Sequence, residues 1–172
     1  LGRRSIVHPP PESWAVFRYP PRDAGLSRAA VVRHTGAVPV FDHLGITVND
    51  LARGIAQFDP LMSALGFTRQ DADNSVAWNR AQETELILMP AREPEAGEHR
   101  HGRAGWQHLA FAVDDAAEVD RLFAIAVAAG WSVVREPKTY PRFTARYYAA
   151  FVEDDSGIRV EFMYNPPHIP SD

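Results

Sequence analysis

Apolar and polar positions change period several times along the chain. Leu44, Ile46 and Val48 alternate with Gly45 and Thr47, a two-residue period that predicts a strand with one buried face. Asn49 and Asp50 follow as N-cap candidates. Leu51, Ile55, Phe58, Met62 and Leu65 then recur every three or four residues, one apolar helical face. Gly66 suits the position just past that helix, and Pro60 inside it predicts a kink or a break. Strands are expected next at 67–69, 75–80 and 85–89.

The same sentence of residues is then repeated. Leu109, Phe111 and Val113 alternate with Ala110 and Ala112. Asp115 and Glu118 make a capping-box pair, Val119, Leu122, Phe123 and Ala126 form the apolar face, and Gly130 closes it. Strands are expected at 131–135, 147–153 and 159–164, with a loop at 136–146. His43 stands 23 positions before Gly66, and His108 stands 22 before Gly130. That spacing marks two copies of one strand–helix–three-strand unit. The organisation expected is an extension at 1–38, a first module at 39–90, a linker at 91–105, a second module at 106–166 and a tail at 167–172.

Composition narrows the function. The 172 residues carry 18 Lys and Arg against 22 Asp and Glu, a formal charge of −4, which argues against a nucleic-acid partner. The charge is uneven. Residues 1–40 hold six Arg, two acids and six of the 14 prolines, so residues 1–38 read as an Arg- and Pro-rich extension outside the fold. Runs such as His8-Pro9-Pro10-Pro11 suit neither a helix nor a central strand. No apolar run approaches the ~18 residues of a membrane span, and a cytoplasmic protein without a membrane partner is expected. Cysteine is absent, which leaves His, Asp and Glu as metal ligands.

Three segments carry a resemblance: Phe41-Asp42-His43-Leu44-Gly45-Ile46-Thr47-Val48, His108-Leu109-Ala110-Phe111-Ala112-Val113-Asp114-Asp115, and the run from Tyr148 through Ser156-Gly157 to Phe162. Over residues 39–166 the chain resembles the vicinal oxygen chelate superfamily, which includes glyoxalase I, fosfomycin-resistance thiol transferases, extradiol dioxygenases and bleomycin-binding proteins. The resemblance implies an α+β fold: tandem βαβββ modules forming a cup-shaped mixed sheet with helices on the outside and a divalent metal on the concave side.

His43 shares a strand face with Gly45 and Thr47, and His108 shares one with Ala110 and Ala112. Both faces lose bulk after the histidine, as a cup with room for a ligand needs. Glu161 lies among Val160, Phe162 and Met163, where a carboxylate is costly to bury without a partner. His43, His108 and Glu161 also fall on the family's ligand positions. They form a two-histidine, one-carboxylate set suited to one ion of Zn, Ni, Co, Mn or Fe. Glu85 is a candidate fourth ligand and base, or else a solvated acid at a strand start. Pairing Pro90 with Pro166 sets Glu85 opposite Glu161, whereas pairing the apolar cores sets Ile87 there. Of Tyr147 and Tyr148, on opposite faces, one reaches the cup; we name Tyr148 with Glu85 as candidate catalytic residues. Thr47, Trp78, Trp106, Arg142 and Arg146 are candidate pocket residues, with the tryptophans open to a core role.

The resemblance implies a metal-dependent lyase, isomerase or transferase acting on a small oxygenated metabolite or antibiotic. The alternative is a non-catalytic drug- or metabolite-binding protein. Extradiol cleavage is disfavoured, because Phe151 stands where that signature has a tyrosine. A homodimer is expected, each metal taking His43 from one subunit and His108 with Glu161 from the other.

Overall fold

A computed structural model describes residues 41–80, 84–93 and 97–166. All belong to one compact unit, Val38–Asp172. The extension at 1–38 and the tail at 167–172 lie outside the described residues.

The first module runs β1 (His43–Val48), α1 (Leu51–Ala64), β2 (Thr68–Ala72), β3 (Ser75–Asn79) and β4 (Glu85–Pro90). The second runs β5 (Leu109–Ala112), α2 (Ala116–Ala128), β6 (Ser132–Thr139), β7 (Tyr148–Glu153) and β8 (Arg159–Tyr164). Each module makes its own four-stranded sheet, in the orders β1-β4-β3-β2 and β5-β8-β7-β6. In both, the first and last strands are parallel and the remaining pairs antiparallel. The fold is the expected α+β pair of βαβββ modules.

The helix ends show why the repeat folds alike twice. Asp50 and Asp115 accept from the backbone N–H of Arg53 at 3.0 Å and of Glu118 at 2.8 Å; such a cap stabilises a helix by ~1 kcal/mol. Only half of the capping box forms at α2, where the Glu118 carboxylate engages Arg121 instead. At the other ends Gly66 and Gly130 adopt φ of 81° and 86°. The N–H groups of Phe67 and Trp131 then bond back to the carbonyls of Met62 and Ala126, the closure that a glycine in this conformation permits. Helix α1 runs unbroken through Pro60, so the expected break does not occur.

Two strands differ from expectation. Strand β2 extends to Ala72, and β6 continues to Thr139 through Pro137, into the expected loop. The reason is position: β6 is the outer strand of its sheet, where a missing N–H costs no ladder bond, and register shifts on either side of Arg135 absorb the irregularity.

The two modules meet through their helices. Phe58 on α1 packs edge-on to Trp131 at 4.8 Å between ring centroids, inside one core shared by Ile46, Val48, Leu122, Val160 and Phe162. Gln57 is wholly buried there. Its amide donates to the Gly130 carbonyl at 3.0 Å and to Asp155 at 3.1 Å, and its oxygen accepts from the Asp155 N–H. With the apolar faces turned to the helices, the opposite faces of β1 and β5, bearing Gly45, Thr47, Ala110 and Ala112, are left exposed.

Candidate metal and ligand site

The site grows from the turn between β7 and β8. Glu153 pairs with Arg159 across that turn, which sets Val152 opposite Val160 and Phe151 opposite Glu161. Val160 and Phe162 go into the main core; Glu161 therefore projects from the other face. It is only 3% exposed and sits beside a smaller apolar cluster of Tyr140, Ala149, Phe151, Val134, Tyr147 and Met163.

A buried carboxylate is stable only when its oxygens are engaged. The Tyr147 hydroxyl donates to Oε1 at 2.9 Å, and His108 Nε2 lies 2.9 Å from Oε2. Burial, together with the bond to Glu161, pushes the Tyr147 hydroxyl up to about 12, so it stays a donor at neutral pH. The Phe151 ring meets the His108 imidazole edge-on at 5.9 Å. These groups border a cavity of about 340 Å³ that also takes in Arg135, Arg142 and Phe143. Every lining residue lies between His101 and Asn165.

His108, Glu161 and Arg142 are thus brought together. His43 is not among them. It stands on β1, 53% exposed in its side chain, with Nδ1 2.9 Å from Asp42, on the same outward face as Thr47. Glu85 is its direct partner in the β1–β4 ladder. The ladders also settle the register alternative. Gly45 pairs with Ile87 just as Ala110 pairs with Glu161, so Ile87 occupies the place that matches Glu161. Among the described residues, no three His, Asp or Glu side chains gather as one metal-binding group.

Other expected pocket residues lie elsewhere. Tyr148 faces the helix layer, where its hydroxyl donates to Asp120 at 2.9 Å, and Tyr147 takes the cavity position. Trp78 is wholly buried with its N–H on Asp59 at 2.8 Å, a core residue rather than a wall. Trp106 packs against the main core. Arg146 is exposed and does not line the cavity. Of the two tyrosines weighed from sequence, Tyr148 was named and Tyr147 is the one at the cavity, and Arg135 and Phe143 were not foreseen. A signal existed for Tyr147: counting back from the β7–β8 turn sets Phe151 opposite Glu161, and Tyr147 shares the face of Phe151.

The profile of the Glyoxalase/Bleomycin resistance protein/Dioxygenase superfamily matches residues 40–162. The chain belongs to this superfamily. The uncharacterised protein YqjT of Bacillus subtilis (strain 168) is 26% identical over 123 residues, covering 70% of this chain and 95% of YqjT. Among solved structures, a glyoxalase/bleomycin resistance protein from Albidiferax ferrireducens T118 superposes with a TM-score of 0.61 at 19% identity, over 74% of this chain and all of its own. The fosfomycin resistance protein FosX from Mesorhizobium loti does so with 0.53 at 18% identity, over 73% and 92%. At these identities the likeness establishes the superfamily fold, and one fold of this kind hosts many chemistries.

Proposed function

We propose that this protein is a metal-dependent enzyme of the superfamily, a lyase, isomerase or transferase for a small oxygenated metabolite or antibiotic. The observation that carries the reading is Glu161, a nearly inaccessible carboxylate with one oxygen bonded to Tyr147 and the other beside His108 Nε2. An imidazole nitrogen and a carboxylate oxygen converging on one point suit two ligand positions of Zn, Ni, Co, Mn or Fe, so the residues present fit the group. His43 of a second subunit supplies the third, with Glu85 travelling beside it. A divalent ion held there acts as a Lewis acid toward neighbouring oxygens of the bound molecule.

The chain's own residues do the rest. Tyr147 fixes the orientation of Glu161, the kind of outer support that sharpens a ligand set. Phe151 and Phe143 keep part of the cavity apolar. Phe151 offers no hydroxyl for proton transfer, which weighs against extradiol cleavage. The same aromatic lining favours a second reading, a cytoplasmic binder that sequesters a small molecule without reaction.

Metal analysis separates the two. Protein purified without chelator is expected to carry one divalent ion per chain, and His108→Ala to lose it while keeping its melting temperature within a few degrees. A wild-type protein that takes up no divalent ion when supplied with each of the five metals sinks the enzyme reading and leaves the binder.

A further inference from the structure

One side of the cavity and the depression that adjoins it hold three cations with no carboxylate partner among the described residues. Arg135 and Lys138 come from β6 and Arg142 from the turn after it, and all three are exposed. Each rests on an aromatic ring: Arg135 Cζ 5.4 Å from the centre of Phe151, Lys138 Nζ 5.3 Å from Tyr140, and Arg142 Cζ 4.6 Å from Phe143. Arg159, by contrast, is neutralised by Glu153 at 2.9 Å. Arg135 and Arg142 border both the cavity of Glu161 and an adjoining depression with Lys138, Thr139 and Tyr140. Tyr140 is 6% exposed, and its hydroxyl, buried beside the Arg135 guanidinium, forms no hydrogen bond of good geometry.

Phe151 sits between the two ends. His108 meets it at 5.9 Å and Tyr140 at 5.8 Å, so the cationic end lies one aromatic ring from the imidazole. Glu161, the one carboxylate lining the cavity among the described residues, is already engaged by Tyr147 and His108. Uncompensated like charges in a concavity draw a counter-ion, and guanidinium forks match oxyanions through paired hydrogen bonds. Stacking on aromatic rings holds the side chains in place without cancelling their charge. A singly charged carboxylate leaves most of this charge unanswered; a doubly charged tetrahedral oxyanion answers two guanidiniums at once.

We infer that the cavity takes a small molecule carrying a phosphate-type dianion, seated on Arg135 and Arg142 with Lys138 and Tyr140 at its edge. Its opposite end lies against His108 and Glu161. That placement of the reacting end rests on the function proposed above, while the anion seat uses other residues.

The test uses the full chain stripped of metal by chelator, so that phosphate has no bound ion to attract it. Inorganic phosphate is titrated at low ionic strength and followed by calorimetry, with acetate as the singly charged comparison. Saturable phosphate binding is expected, with acetate weaker and affinity falling at least about ten-fold in the Arg135→Gln/Arg142→Gln double variant. Both positions are exposed, and a melting curve checks the fold; Arg142→Gln alone serves if the double variant melts early. Absence of saturable phosphate binding, equal binding by the variant, or acetate binding as tightly as phosphate overturns the inference. Metal uptake is measured separately on His108→Ala, so either reading can fail without the other.

Discussion

Asp154 shows how much one buried group can weigh. Its Oδ1 accepts from the N–H groups of Ser156 at 2.9 Å and Ile158 at 2.7 Å, while Oδ2 is buried without a partner. Burial pushes its carboxyl up to about 6, against the pull of those two N–H bonds. A carboxyl raised by folding favours the protonated native state. Its contribution is complete below pH ~4 and is lost as pH rises through ~6, a span worth up to about 3 kcal/mol. Asp154→Asn keeps an oxygen for both N–H groups and cannot ionise. Urea unfolding at pH 4 and pH 7 should show the variant gaining on wild type at the higher pH; parallel curves would contradict this. Side-chain identity made some of the chemistry legible from sequence. His108 and Glu161 stand out as ligand types on outward strand positions. Tyr147 and Tyr148 do not separate by residue type, because neighbours on a strand face opposite sides and the choice follows only when register is counted from the β7–β8 turn. Arg135 lay hidden for a related reason: an arginine on an edge strand looks like ordinary solvated surface until its aromatic support is seen.

At the scale of elements, the helices carry the junction. Gln57 serves both modules at once, bonding Gly130 and Asp155 through its side chain while its carbonyl accepts the Trp131 indole N–H at 2.9 Å. Gln57→Leu fills similar space and strands the Gly130 carbonyl and the Asp155 N–H. A loss of ~2 kcal/mol is expected, read as a lowered urea midpoint with the slope unchanged. A variant as stable as wild type would show that water replaces the amide. Helix ends were legible because Asp50, Asp115, Gly66 and Gly130 have roles few other residues fill. The second half of β6 was not, since Pro137 and the charges around it look like a loop, and only the sheet order shows that an outer strand tolerates them. Pro60 misled in the opposite sense: the core packing of Phe58, Leu61 and Met62 carries α1 through it.

For the molecule as a whole, the described residues that line the cavity belong to the second module and to His101 of the linker, while His43 stands outward on the first module. If subunits exchange modules to complete the site, mixing His43→Ala with Glu161→Ala protein should restore one intact metal site in each heterodimer, measured as bound metal after subunit exchange. Heterodimers that form and bind none would assign the ligands to a single chain. The core was legible as two repeated apolar faces, but the way the modules pair depends on surfaces that no periodicity describes. Ile46, Val48, Val160 and Phe162 turn inward and hold the modules together, whereas His43, Thr47, Ala110 and Glu161, on the same two sheets, turn the other way. Under the proposed function, substitutions on this second set would alter which molecule is bound and leave the inward set untouched. A lineage can therefore exchange one reaction for another, a few positions at a time, without ever passing through an ancestor that fails to fold.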